Sequence, residues 1–317
     1  EDSIGASGGA GLIRTKKRMT LCWALTAVCL AFIWGNSLLP GEISGAISDQ
    51  VEHVLEMLLP EGEVLVVGSA QSGAQIAEDL HLAGRQVHLC VGSAPRVARF
   101  YRGRDVVDWL EDMGHYRLTV EDHPQGEEAR RKTNHYVTGR DGGRDIDLRA
   151  FALQGMRLHG RLLAYADGKL HTADDLRANL DGADATAQKI KDSIDAWIAR
   201  QGIDAPVEAR YQAPWQPDGP AEPIDLAAIS AIIWAVGFHT DFSWIEVPAF
   251  DEKGYPRHQR GVSVEAGLYF LGLPWLWTWG SGRFEGVGDD ALWQAEIIAR
   301  RAGHIAAQEA VDANSAE

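Results

Sequence analysis

Residues 64–91 read VLVVGSAQSGAQIAEDLHLAGRQVHLCV. Val64 to Val67 is an apolar run stopped by glycine, the length of a buried strand. Ser72 to Ala83 carries Ile76, Leu80 and Ala83 at helical spacing, with Gly84 placed to close the helix. Val87 to Val91 is a second apolar run. Strand, glycine turn, helix and strand in so short a stretch predict an α/β fold: the opening of a Rossmann-like, doubly wound parallel sheet.

The turn is Gly68-Ser69-Ala70-Gln71-Ser72-Gly73, a GxAxxG variant of the dinucleotide fingerprint. Its first glycine permits the sharp bend, and its last lets the helix lie close to the strand. The middle position must be small so that backbone approaches a pyrophosphate held at the helix N-terminus. Ala70 adds one methyl group there. These six residues are the candidate cofactor site; the alternative is a tight turn that serves packing only.

The end of the second strand bears on which nucleotide. An NAD site places an acid there to hold the ribose hydroxyls. This chain has Val91-Gly92-Ser93-Ala94-Pro95-Arg96 instead, followed by Arg99, Arg102 and Arg104. A hydroxyl at Ser93 beside the guanidinium of Arg96 or Arg99 suits a 2′-phosphate, so NADP is expected rather than NAD. A solvated basic loop is the competing reading.

Beyond this unit, Ala187, Ile190, Ile194 and Trp197 space an amphipathic helix ending at Gly202. Glu121 to Asp147 reads as loops, Ala228 to Val236 as a buried strand and Leu268 to Leu271 as another. Asp290 to Ala302 reads as a helix capped by Asp289. Trp275, Trp277 and Trp279 either wall an aromatic pocket or fill a core. His135, His239 and His258 are scattered and suggest no acid–base pair, so no catalytic residue is assigned. The chain has 317 residues, 45 acidic and 30 basic, for a net charge of −15. That balance repels phosphate backbones, so nucleic acid is not an expected partner. Cys22, Cys29 and Cys90 have no metal or disulfide spacing, and no metal is expected.

The N-terminal part is of another kind. Arg14, Lys16, Lys17 and Arg18 precede Met19 to Leu39, which carries no charge and as a helix is roughly 30 Å long, enough for a bilayer. Membrane contact through 19–39 is expected, with a signal peptide or a buried core helix as alternatives. The basic residues favour a cytoplasmic N-terminus. A single span would then export the rest, away from NADP; a re-entrant or interfacial placement would not.

AFIWGNSLLPGEISGAISDQV (31–51) resembles the first membrane segment of VanZ-like proteins. VLVVGSAQSGAQIAEDLHLAGRQVHLCVGSAPRVARFYRGRDVVDWL (64–110) resembles the second, NADP-binding Rossmann motif of flavin-containing monooxygenase-like oxidoreductases. The resemblance continues through HYVTGRDGGRDIDLRAF (135–151), IIWAVGF (232–238) and GLYFLGLPWLWTWGSGRFEGVGDDA (267–291), in family order. It implies an enzyme in which NADPH reduces FAD, acting on a small-molecule substrate in the cytoplasm. It places Gly237 where the chain returns to the flavin domain, and Gly272, Gly286 and Asp290 near the flavin. The family's N-terminal FAD turn is not in this sequence: Gly9-Ala10-Gly11 begins a GxG with no strand before it. A partner chain supplying the flavin half is therefore one expectation. A membrane-tethered NADP-binding redox module without catalysis, or an inactive fused fragment, are the alternatives. The expected divisions are a basic N-terminus (1–18), a hydrophobic helix (19–40), a linker helix (41–60), an NADP domain (61–235), the C-terminal portion of a flavin domain (236–308) and a polar tail (309–317).

Overall fold

A computed structural model describes residues 60–131, 135–138, 142–238 and 240–314. The readings of residues 1–59, among them the hydrophobic helix and the VanZ-like segment, lie outside the described residues, as does His239. Among the described residues no helix is long and apolar enough to cross a membrane.

Residues Gly62–Glu317 form one compact unit. At its centre is β1 (Glu63–Val67), in which Val64, Leu65 and Val66 are fully buried; each such side chain stabilises the fold by about 1.5–3 kcal/mol. The helix α1 (Gln71–Leu82) returns the chain to β2 (Val87–Cys90), parallel to β1 with Val67 opposite Cys90. α1 buries Gly73, Ala74, Ala77 and Leu80. Of the face read from sequence, Leu80 is buried, Ile76 half-buried and Ala83 exposed. Small residues let the helix sit close, and that shifts the contact stripe toward the alanines.

A long excursion follows β2. It contains a hairpin of two-residue strands, β3 (Phe100–Tyr101) and β4 (Arg104–Asp105), then α2 (Val106–Asp112), two 3-10 segments (His115–Arg117 and Gly126–Arg131) and α3 (Leu148–Leu153). β5 (Arg157–His159) then joins the sheet beside β2. An antiparallel sheet comes next, made of β6 (Leu162–Ala166), β7 (Lys169–Thr172) and, after the helix α4 (Leu176–Gln201), β8 (Ile224–Asp225). α4 buries Ala187, Ile194 and Ile198, and it ends where Gly202 takes φ 65°, a left-handed cap that side-chain-bearing residues rarely adopt. β9 (Ile229–Trp234) returns to the main sheet on the far side of β1.

The parallel order is therefore β5-β2-β1-β9. Counted along the chain this is 3-2-1-4, the order of a Rossmann half, in which successive strands step one way and then reverse across the first. The sheet bears out the α/β parallel expectation. β9 differs from the expected buried strand: it is an edge, half-buried along its length and with Trp234 62% exposed, because no fifth strand pairs with it among the described residues. Leu268–Leu271 is not a strand either; only Tyr269 makes an isolated bridge, to Val262. Two short strands, β10 (His258–Gln259) and β11 (Val262–Ser263), form a hairpin before the closing helix α5 (Phe284–Asn314). That helix starts before the expected Asp290, leaving Asp289 inside it rather than at its cap, and continues into the segment read as a polar tail.

The sheet also contains a histidine pair, His88 buried and His159 half-buried. His88 Nε2 donates to Glu63 Oε2 at 2.7 Å, which makes His88 Nδ1 an acceptor for His159 Nε2 at 3.0 Å. The chain of bonds is satisfied with both rings neutral. Burial, reinforced by His88 and Arg157, lowers the His159 pKa to about 4, and burial lowers that of His88 against the pull of Glu63. Unfolded histidine binds its proton near pH 6.5. Stability from this pair is thus complete above pH 6.5 and is lost as pH falls toward 4, by about 2–3 kcal/mol. Urea unfolding from pH 7 to pH 4 checks this: His159→Gln flattens the dependence, and an unchanged slope contradicts it.

Candidate functional site

The strand order reverses across β1, and open α/β sheets bind ligands at the carboxyl ends of the strands at such a point. Gly68 leaves β1 with φ 103°. A Cβ placed on it would lie 2.5 Å from the Ala235 carbonyl oxygen just past β9. A Cβ on Gly73 would lie 1.9 Å from the Gly68 carbonyl oxygen and 3.1 Å from the Ala235 Cβ. Both glycines are required by contact, the first also by conformation. Backbone bonds fix the bend from both sides: Gly68 N donates to Cys90 O at 3.1 Å, and Ala235 N to Val67 O at 2.8 Å.

Ala70 is the N-cap of α1, extended at φ −72° and ψ −173°, and no side chain caps the helix. The amide end of the helix is thus left to backbone groups, as a phosphate cradle requires. Ser69, 1% exposed, accepts from Gly92 N at 3.0 Å and so ties the turn to the loop after β2. Ser72 and Ser93 are exposed at the rim. The Gln71 side chain is committed elsewhere. It donates to Val137 O at 2.6 Å and accepts from Val137 N at 2.9 Å, with Gln75 also donating to Val137 O at 3.2 Å. This clasp holds residues 135–138 against α1, and nothing in local sequence signals it.

The arginines after β2 all meet carboxylates. Arg96 is 5% exposed; its Nε donates to Asp184 Oδ1 at 2.7 Å, and Asp145 Oδ2 lies 3.7 Å from Nη1. The Tyr211 ring lies 4.3 Å beneath its guanidinium. Burial alone would lower its pKa, but Asp184, with Tyr211 and Asp147, holds it above the ordinary arginine value. Arg149, nearly fully buried, completes this network through Asp184 at 2.9 Å and Asp181 at 2.6 Å. A 2′-phosphate at Arg96 would meet two carboxylates already there, which is unlike the open phosphate ligand expected from sequence. Arg99 pairs with Asp105 at 2.7 Å with its side chain 36% exposed, and with Ser93 it lines a cavity of about 940 Å³.

The C-terminal candidates are spread out. Gly237, past β9, is exposed with open space around it, as is Gly272. Gly286 has a packing duty: a Cβ there would sit 2.5 Å from Gly280 backbone atoms. Asp290 is 1% exposed, takes Arg260 Nε at 2.9 Å on Oδ1, and leaves Oδ2 without a hydrogen-bond partner. Trp275 and Trp279 line the cavity, whereas Trp277 lies beneath the Arg260 guanidinium, 3.6 Å from ring centroid to carbon. Among the described residues no group of His, Cys, Asp and Glu could hold a metal ion.

No family model matches the chain. It is 29% identical over 235 residues to an uncharacterized oxidoreductase CzcO-like of Geobacillus kaustophilus (strain HTA426), a match covering 74% of this chain and 51% of that protein. Over 64 residues it is 47% identical to the uncharacterized oxidoreductase CzcO of Bacillus subtilis (strain 168), covering 20% of this chain and 19% of that one. The corresponding protein of Bacillus velezensis (strain DSM 23117 / BGSC 10A6 / LMG 26770 / FZB42) is 45% identical over 64 residues. The chain thus spans about half the length of the Geobacillus relative and less of the others.

The contact at Gly73 makes a direct test of the turn. Gly73→Ala forces the helix away from Gly68 and is expected to cost about 1–3 kcal/mol, the usual range for overpacking. Ala70→Gly removes only one methyl group and is expected to leave the urea midpoint within experimental scatter. A Gly73→Ala protein as stable as the parent contradicts the packing described.

Proposed function

We propose that the chain is the NADP-binding and C-terminal portion of a flavin-dependent, monooxygenase-like oxidoreductase. The observation that carries this reading is the glycine bend at the strand-order reversal, with an uncapped helix N-terminus behind it. The oxidoreductases to which the chain is similar are consistent with it.

In this reading the amides of the Gly68–Gly73 turn hold the pyrophosphate. Ser69 fixes the turn to the loop after β2, placing Ser93 and Arg99 on the same side of the sheet. Arg99 is the arginine that meets the 2′-phosphate, exchanging Asp105 for it, while Arg96 and Asp184 keep the loop in shape. When bound, the nicotinamide would supply a hydride and the flavin would be the group that takes it up. The unpartnered, buried Asp290 Oδ2 is an acceptor suited to a cofactor hydroxyl, and so fits FAD near the start of α5. Trp234, Val236 and Phe238, at and just past the end of β9, are 62%, 68% and 104% exposed, which suits cover by a further flavin-binding part, in this protein or in a partner. NADPH use places the activity in the cytoplasm.

The test is a titration of the purified chain with NADPH and NADH, alone and after FAD is added, followed by fluorescence and visible absorption. NADPH is expected to bind more tightly than NADH and to bleach added flavin. Arg99→Ala is expected to weaken NADPH roughly tenfold or more, the value of one charge-assisted contact, and to leave NADH unchanged. Arg96→Ala lowers stability without changing the ratio of the two affinities. Equal affinities before and after Arg99→Ala contradict the NADP assignment, and NADPH binding without flavin bleaching favours a redox module that does no catalysis.

A further inference from the structure

Trp275 takes φ 54°, the left-handed region that a bulky residue rarely enters. It stands third in a tight turn, Leu273-Pro274-Trp275-Leu276, closed by Leu276 N donating to Leu273 O at 3.1 Å. With proline second, that third place favours glycine, yet a buried tryptophan occupies it. The surroundings hold the conformation. Arg130 Nη1 donates to the Trp275 carbonyl, and Gly282 packs so near that a Cβ on it would lie 3.0 Å from Pro274 Cα. Backbone strain that the rest of a fold maintains gathers where the placement of a side chain serves a ligand.

The strained turn places Trp275 in the wall of the cavity between the loop after β2, α2, the middle of α4 and the 275–283 turn. Its volume of about 940 Å³ suffices for a whole small molecule. Backbone bonds knit this aromatic part of the wall together: Val120 N donates to Trp277 O and Trp279 N to Leu118 O, both at 3.0 Å. Trp277 and Trp279 each carry a guanidinium over the ring, Arg260 at 3.6 Å and Arg283 at 3.8 Å. Trp275 is held differently, packed with Val120 and Ala129 and meeting the His123 ring edge-on at 5.2 Å. Another part of the lining is apolar, formed by Val97, Val106, Leu110 and Ile190. Among the described lining residues the one carboxylate is Asp105, which Arg99 engages at 2.7 Å. No residue of the Gly68–Gly73 turn is in the lining; Gln71 reaches it only by holding the Val137 backbone.

We infer that Trp275 is a stacking platform and that this cavity binds a planar aromatic compound without positive charge. The compound's ring lies against Trp275 and its remaining surface against Val106, Leu110 and Ile190. Stacked or edge-to-face rings gain beyond the area they bury, so a flat molecule uses this wall better than a saturated one of equal size. A cationic compound would meet Arg99 and Lys189 in the same lining, with Asp105 already engaged. Ser93 and Arg99 are the residues that the cavity shares with the proposed nucleotide site, so the compound on Trp275 and NADP are bound together. That the compound is the one oxidised rests on the oxidoreductase reading; that it binds does not.

Calorimetric titration of the chain with 2-naphthol, with its saturated counterpart decahydro-2-naphthol and with 2-naphthylmethylammonium, each with and without saturating NADP⁺, tests this. 2-Naphthol is expected to bind about fivefold more tightly than the saturated probe, the usual size of an aromatic pair's gain. It is also expected to bind more tightly than the ammonium probe, and equally well with NADP⁺ present. Trp275→Leu abolishes the preference over the saturated probe and Trp275→Phe keeps it. Ile190→Trp fills the cavity and removes binding of all three. Equal affinity for 2-naphthol and the saturated probe, equal or tighter binding of the ammonium probe, or a preference that survives in folded Trp275→Leu overturns the inference. Competition by NADP⁺ overturns it too, by giving the wall to the nucleotide's own rings. If Trp275→Leu does not fold, 2-naphthol binding that persists in Ile190→Trp overturns it instead. NADP⁺ binding without naphthol binding defeats this inference alone; the converse defeats only the nucleotide assignment.

Discussion

Gly68 stands so near the Ala235 carbonyl that a Cβ on it would lie 2.5 Å from the oxygen, and Gly73 so near Gly68 that its own would lie 1.9 Å from that carbonyl. Three elements meet at this point: β1 ends, α1 begins and β9 passes alongside. Because no side chain fits between them, the helix N-terminus is held at the carboxyl edge of the sheet, where strand order reverses. The position of the uncapped α1 amides follows from that contact. Repulsion at short range is steep, and protein interiors have little free volume to absorb it.

Electrostatics arrange the rest. With far more carboxylates than cations, the protein surrounds its arginines, and the pairs that form cross-link distant segments. Arg96 and Arg149 share Asp184, while Tyr211 donates to Asp147 at 2.9 Å. These bonds hold the loop after β2, α3, α4 and the segment around residue 211 together. Such buried networks contribute little net stability, since desolvation offsets attraction, but losing one partner is costly. Their value here is to fix the geometry of the loop after β2.

What the sequence reveals follows the range of the interactions involved. The β1–α1–β2 unit was legible because apolar runs, glycines and helical spacing are local signals. The end of α4 at Gly202 was legible for the same reason. The start of α5 was not: the sequence places it at Asp290, yet the helix begins at Phe284 and includes Gly286, where only glycine passes Gly280. Arg96 looked available for a phosphate because its partner Asp184 is 88 residues away. The strand expected at Leu268–Leu271 has the right composition and no ladder partner. Trp275 and Trp279 had been read as either pocket wall or core. They line the cavity, but its other walls come from residues about eighty or more positions earlier, so no local pattern could have revealed it.

The central claim is that the backbone between Val67 and Ala74 cradles the phosphates of NADP. Hydrogen–deuterium exchange of the chain, with and without saturating NADP⁺, tests it most directly. The account predicts slowed exchange in peptides covering residues 68–74 and 92–99, with the edge at 229–234 little changed. Binding that protects other segments and leaves 68–74 exchanging at its free rate would contradict it.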